Sequence, residues 1–172
     1  MRYRIPRLAL PAILFGCSGP PSDYELPPSE DTQAPSSDLA AGTATFLLPI
    51  EGSGEDTVAV RLHWPASDRT RYPGVAPVVI HVEGGWHSGE LSEEEAWTLA
   101  EVHGYIHLSF LLPGGTAADG SFTSSGERDT RGEQSLTALS AVLDYASGQQ
   151  ADSQSLTLLD RIPFADTEHV GM

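Results

Sequence analysis

Two short, almost unbroken apolar runs do most to limit how this chain can fold. Residues 77–83 read PVVIHVE and residues 105–112 read YIHLSFLL. Runs this short and this continuously apolar suit strands buried on both faces, as in a parallel sheet, rather than strands with one wet face. Parallel neighbours need a crossover, and the intervening residues supply a helical one. Gly84-Gly85 breaks the first run. Ser92 with Glu95 three residues later has the form of a capping box, and Glu93 and Glu94 fall in the first turn, where the helix dipole favours negative charge. Ala96, Leu99, Ala100 and Val102 or His103 mark one face of that helix, and Gly104 ends it.

Ahead of these runs lie TATFLLPI (43–50) and TVAVRLHW (57–64), joined by EGSGED, the pattern of a β-hairpin. Behind them a glycine-rich loop, 113–129, leads to a helix predicted from about Thr130 to Ala146, with Leu136, Ala138, Leu139, Val142, Leu143 and Ala146 at helical spacing and Gly148 closing it. Residues 155–161 add a short helix, and Glu168-His169-Val170-Gly171-Met172 begins one more strand. The order predicts an α/β fold, a mostly parallel sheet behind an antiparallel N-terminal hairpin. With 172 residues, 40% of them hydrophobic, there is material for at most one domain of ordinary size.

The first 42 residues follow different rules. Arg2, Arg4 and Arg7 precede an apolar stretch from Leu8 to Phe15, too short for the roughly 20 residues that span a bilayer and typical of a cleaved signal. Leu14-Phe15-Gly16-Cys17 resembles the bacterial lipobox: an aliphatic residue, a variable one, a small one, then the cysteine that carries lipid. The resemblance implies a signal peptide over 1–16, cleavage before Cys17 and a membrane anchor on that cysteine, since several acyl chains together hold stably. Ser18 rather than Asp follows it, which resembles signals for the outer membrane of a diderm envelope. From Ser18 to about Gly42 proline, serine and acids dominate, so residues 17–42 read as the lipidated cysteine and an extended tether.

Charge and cysteine count exclude other partners. The sequence holds 24 acidic residues against nine arginines and no lysine. Three of the arginines precede Cys17, leaving 24 acids against six, about −18, on the exported part. Such a surface repels phosphate backbones, so nucleic acid is not an expected partner. Cys17 is the only cysteine, which rules out an internal disulfide and a cysteine-based zinc site. The sequence has no Gly-x-Gly-x-x-Gly and no phosphate-binding Gly-Lys-Ser/Thr loop, and no cofactor is expected.

Residues 43–172 are similar to the opening half of the α/β-hydrolase family. The resemblance rests first on PVVIHVEGGW, residues 77–86: in this family the third strand often ends in a His-Gly-Gly type turn whose backbone N–H groups form part of the oxyanion hole. Glu83 replaces the family's histidine here. The resemblance implies Gly85 and Trp86 as the oxyanion-hole amides. It rests second on Ser124, Gly126, Asp129, Arg131 and Gly132, an S-x-G-x-x-D-x-R-G pattern feeding a helix that ends in Asp144-Tyr145-Ala146. That stretch reads as fold-specifying, with Asp129 as a helix N-cap. It rests third on Glu168-His169-Val170-Gly171-Met172, which resembles the family's fifth strand just before the nucleophile elbow Gly-x-Ser-x-Gly. No Gly-x-Ser-x-Gly occurs among the 172 residues, and the acid and histidine of the triad normally come later still.

The remaining chemistry-bearing residues suggest little else. His103 and His107 are four apart but interrupted by Gly104, and His81, Glu83 and His87 cluster around the Gly-Gly turn as a conceivable mononuclear metal site. The simpler reading takes the histidines as buried-strand or surface residues, with no metal. Ser88, Ser109, Ser124 and Ser125 lack an elbow context, so none is a candidate nucleophile. The expected parent activity is therefore that of an extracytoplasmic serine esterase or peptidase acting on a small ester or peptide, with residues 1–172 inactive by themselves. Ending before the elbow would leave apolar strands at an open edge, an aggregation hazard, so the sequence reads as a fragment, frameshift or pseudogene product. The competing class is a non-catalytic envelope lipoprotein with a binding or structural role, which a stable, monodisperse domain from 43–172 would favour.

The anchor is directly testable. Cys17→Ser should abolish incorporation of labelled palmitate and shift the protein from the membrane to the soluble fraction; unchanged labelling would contradict lipidation at Cys17.

Overall fold

The computed structural model describes residues 38–52, 56–82 and 94–172. The signal, Cys17, most of the tether, and the Glu83–Trp86 turn with His87 and Ser92 lie outside the described residues. Strands β1 (Gly42–Pro49) and β2 (Thr57–Trp64) form the expected antiparallel hairpin. Strand β3 (Ala76–His81) is followed by α1 (Glu94–Trp97), which runs directly into a π-helical turn, Thr98–Val102. Strand β4 (Ile106–Phe110), helix α2 (Glu133–Ala146), the short helix α3 (Leu158–Arg161) and strand β5 (Ala165–Gly171) complete the series.

The described strands form one sheet in the order β1-β2-β4-β3-β5. Strand β2 pairs with β4 antiparallel, and β3 lies between β4 and β5, parallel to both. The fold is thus α/β with a mixed sheet whose inner part is parallel. The two apolar runs that predicted parallel pairing, β3 and β4, are neighbours within it. No helix among the described residues is long and apolar enough to cross a membrane.

Strand alternation divides the sheet into two unlike faces. One face contributes Phe46, Leu48, Val58, Val60, Leu62, Val78, Ile80, Ile106, Leu108 and Phe110 to a single core with Ala138, Val142 and Tyr145 of α2. The tilted Phe46–Tyr145 ring pair, with centroids 5.2 Å apart, ties β1 to α2. Leu136, expected on the buried face of α2, is instead 63% exposed; the helix turns its small residues Ala138, Ala141 and Ala146 inward, allowing close approach to the sheet.

Local chemistry sets the ends of the elements. Gly104 has φ +72°, a left-handed conformation that ends the π-helical turn. A Cβ there would lie 2.4 Å from the Arg69 carbonyl oxygen and 2.5 Å from the Arg71 nitrogen. Helix α3 starts with a full capping box between Thr157 and Asp160. Its Arg161 makes a two-nitrogen charge-assisted contact with the buried Asp152 carboxylate and sits over the Phe46 ring at 4.5 Å. In β3, Pro77 has no N–H to give to the ladder, and the β3–β5 register shifts between Pro77 and Val78. The extra residues of β5 are held by Asp166, whose carboxylate accepts from the amides of Glu168 and His169 at 3.2 Å.

Upstream of β1 the chain already engages the domain. The Leu39 carbonyl accepts from Ser67 N–H at 2.9 Å, and the Trp64 indole donates to the Ala40 carbonyl at 3.0 Å.

Two alanine substitutions separate backbone strain from collision. Gly74→Ala, at φ +74° with open space around it, should cost about 1 kcal/mol, and Gly104→Ala, which adds a backbone overlap, about 2–3 kcal/mol or more. Urea unfolding midpoints measure both; equal losses would contradict the tight seat of Gly104 against Arg69–Arg71.

Candidate functional site

In open α/β sheets ligands bind beyond the C-terminal ends of the parallel strands. Here β4, β3 and β5 run the same way, so the ends at Phe110, His81 and Gly171 lie along one edge. The helices after β3 and β4 pack on opposite faces: α2 on the large apolar core, and the π-helical turn beside His63. The Glu83-Gly84-Gly85-Trp86 turn, with both oxyanion candidates Gly85 and Trp86, would follow β3 at that edge but lies outside the described residues.

The loop after β4 is resolved into structural work. The ladder between β2 and β4 covers only Val60–His63, which leaves Thr57 and Ala59 of β2 to find partners elsewhere. Leu111 N–H donates to the Ala59 carbonyl. The Ser124 hydroxyl, 1% exposed, accepts from Ala59 N–H at 2.9 Å and donates to the Leu111 carbonyl at 2.8 Å. Ser125 pairs with Thr57 through its backbone N–H, and its Oγ accepts from Thr57 N–H at 3.1 Å. Both serines are engaged in completing the sheet, in accord with the fold-specifying reading of the motif.

Asp129 caps α2, though not from the position expected. The N-cap position belongs to Gly132, three residues on. The Asp129 carboxylate reaches back over Thr130 and Arg131, which sit at positive φ (48° and 71°), to accept from Gln134 N–H at 2.6 Å and from Ser135 N–H and Oγ–H. These bonds, the Ser135 hydroxyl first, hold its carboxyl below the usual range. Gln134 returns the contact by accepting from Glu127 N–H at 3.0 Å. Gly126 is favoured here by its φ of +82°, and a Cβ would also displace the Gln134 amide, 2.5 Å from its Oε1. The spacing of the motif thus describes a knotted turn, not a catalytic set.

The sheet face opposite α2 carries the less ordinary feature. His63 of β2 stands directly opposite His107 of β4, and His81 of β3, in register with Ser109, lies two residues along on the other side of His107. Ring centroids are 6.3 Å apart for His63–His107 and 5.9 Å for His81–His107. His107 is completely buried, and neither of its ring nitrogens has a hydrogen-bond partner among the described residues; nor has the buried Ser109 hydroxyl on the same strand. Burial pushes the His107 imidazole down to about 4, with the charges of His63 and then His81 acting in the same direction. A cleft of about 900 Å³ opens beside the row, between His63 and Trp64 on the sheet and Trp97, Ala100 and Glu101 on the helical segment.

This row was visible only in part from sequence. Each histidine alternates with a core residue (Leu62, Ile80, Leu108), so each faces away from α2, but their adjacency depends on the strand order. His103 caps the π-helical turn, away from the strand that buries His107, so the i, i+4 pair is not assembled. Of the other metal grouping, Glu83 and His87 lie outside the described residues. Among the described residues no set of three or more His, Cys, Asp or Glu converges to hold a metal.

No family model, curated protein or solved structure matches this chain.

The two buried serines should respond oppositely to truncation. Ser124→Ala leaves Ala59 N–H and the Leu111 carbonyl without partners and should cost about 1–3 kcal/mol, whereas Ser109→Ala removes an unpaired hydroxyl and should be neutral or stabilising. Chemical denaturation of both variants checks this; a destabilised Ser109→Ala would contradict the assignment.

Proposed function

We propose that the chain carries the opening half of a serine hydrolase of the α/β-hydrolase type, anchored to a bacterial envelope by lipid on Cys17. The observation that carries this reading is the arrangement β1-β2-β4-β3-β5: an antiparallel hairpin, then parallel strands with the fifth beside the third, as the family's fold requires. The S-x-G-x-x-D-x-R-G loop supports it by stitching β2 to the start of α2.

In such an enzyme a serine on the turn after β5 attacks an acyl carbonyl while a histidine takes its proton. Backbone N–H groups on the turn after β3 stabilise the negative charge that develops on the carbonyl oxygen. The pairing of β5 with β3 puts the ends of these two strands side by side, where nucleophile and oxyanion donors have to meet. On this reading Gly85 and Trp86 provide the donors. Gly-x-Ser-x-Gly does not occur among residues 1–172, so on this reading these residues bring the oxyanion donors and not the nucleophile. The substrate class is a carboxylic ester or peptide outside the cytoplasm.

The test uses a fluorophosphonate probe on two proteins: residues 1–172, and the product of the open reading frame continued past codon 172 in whichever frame encodes Gly-x-Ser-x-Gly. The longer product should label and hydrolyse p-nitrophenyl esters, and the 172-residue chain should do neither. Labelling of the shorter chain, or no serine elbow in any frame, would overturn the proposal.

A further inference from the structure

Independently of the hydrolase reading, the row of histidines is placed to sense acid. Water does not reach His107, and no described residue offers its ring nitrogens an acceptor that would welcome a second proton. Among the described residues, the charged neighbours that act on His107, His63 and His81, oppose its protonation. Strand β2 brings His63 and Arg61, the latter donating to Thr45 Oγ1 at 3.0 Å; strand β3 brings His81. The helical segment bears His103 and Glu101, and Glu101 is shared with Arg69 at 4.0 Å. A cation formed on His107 therefore needs water, which can come from either face of the sheet.

On one side stands α2 with its extended apolar core. On the other, the cover is the α1 and π-helical segment, whose described buried residues are only Ala96 and Ala100, while Trp97 and Val102 are 61% and 68% exposed. The cleft that reaches His63 runs along this segment and contains Glu101, a carboxylate able to stabilise an imidazolium once water has entered. Local opening is drawn from the least-held layer.

We propose that His107, buried between His63 and His81, is an acid-operated catch: neutral, it keeps the α1 side of the sheet closed, and when protonated it opens that cover along the cleft. The closed state binds fewer protons than the open one, because His107 has its proton affinity lowered from the ordinary 6.5 to about 4 when closed. Closure is therefore at full strength above about pH 6.5, weakens as pH falls, and is lost in full below about pH 4. Between pH 7 and pH 5 the population of the open form should rise roughly 20-fold.

Hydrogen exchange of the full chain at pH 7 and pH 5, corrected for intrinsic exchange rates, tests this. Protection over residues 96–110 should fall roughly 20-fold, protection over α2 should hold, and His107→Leu should remove the difference while the exposed His103→Gln keeps it. A histidine ring-proton NMR titration of the unmodified chain supplies a readout that needs no variant: the His107 signal should stay in its neutral position down to pH 5. Equal protection at both pH values, loss spread evenly over α2, a drop that survives in His107→Leu, or His107 titrating near 6.5 would each overturn the proposal.

Discussion

The structure depends on β3 being paired on both edges by parallel strands. A central strand has no free edge, so every amide and carbonyl it exposes sideways must be met by β4 on one side and β5 on the other. Strand β5 is reached only through α2 and α3, and so the parallel arrangement obliges the chain to wrap both faces of the sheet. The apolar core, the knotted turn that begins α2 and the Arg161–Asp152 contact that positions α3 all serve that return path. One defect is built in. At Pro77 the β3–β5 ladder shifts register, and Asp166 takes over the amides of Glu168 and His169 that the detour leaves without ladder partners.

The two faces of the sheet differ in how securely they are covered. Beneath α2, aliphatic and aromatic residues from four of the five strands and the helix make one continuous core. Over the other face, β2, β3 and β4 mix Ala59 and Val79 with Arg61, His63, His81, His107 and Ser109, and the helix above them is short and partly π-helical, with Ala96 and Ala100 buried. π-Helical turns interrupt the regular ladder and often accompany functional positions.

Much of the architecture was legible from apolar patterning. The hairpin, the parallel pair and the last strand follow period and turn chemistry and lie where the residues predict; α2 begins at Glu133 rather than near Thr130, and the first crossover helix, described from Glu94, turns π-helical at Thr98. Three features were not legible from apolar patterning. Asp129 is a cap by chemistry, but Thr130 and Arg131 at positive φ displace it from the N-cap position, and no propensity for those residues forecasts that conformation. Leu136 follows helical spacing yet faces solvent, since the sheet selects the alanine-rich side of α2 for close packing. The histidine row needs β2, β4 and β3 to be consecutive in space, whereas in sequence the order is β2, β3, β4. The expected oxyanion turn and the lipid anchor concern residues outside those described, so they rest on the sequence pattern.

The claim on which the rest stands is that β3 separates β4 from β5. Cross-strand nuclear Overhauser contacts of Val78 test it most directly, because this residue is in register with Ile106 on one side and Val170 on the other. The account predicts backbone contacts from Val78 to the neighbourhoods of both partners in the same molecule. Contacts from Val170 to β4, or none from Val170 to any strand, would contradict the sheet order and with it the proposed meeting of the β3 and β5 ends.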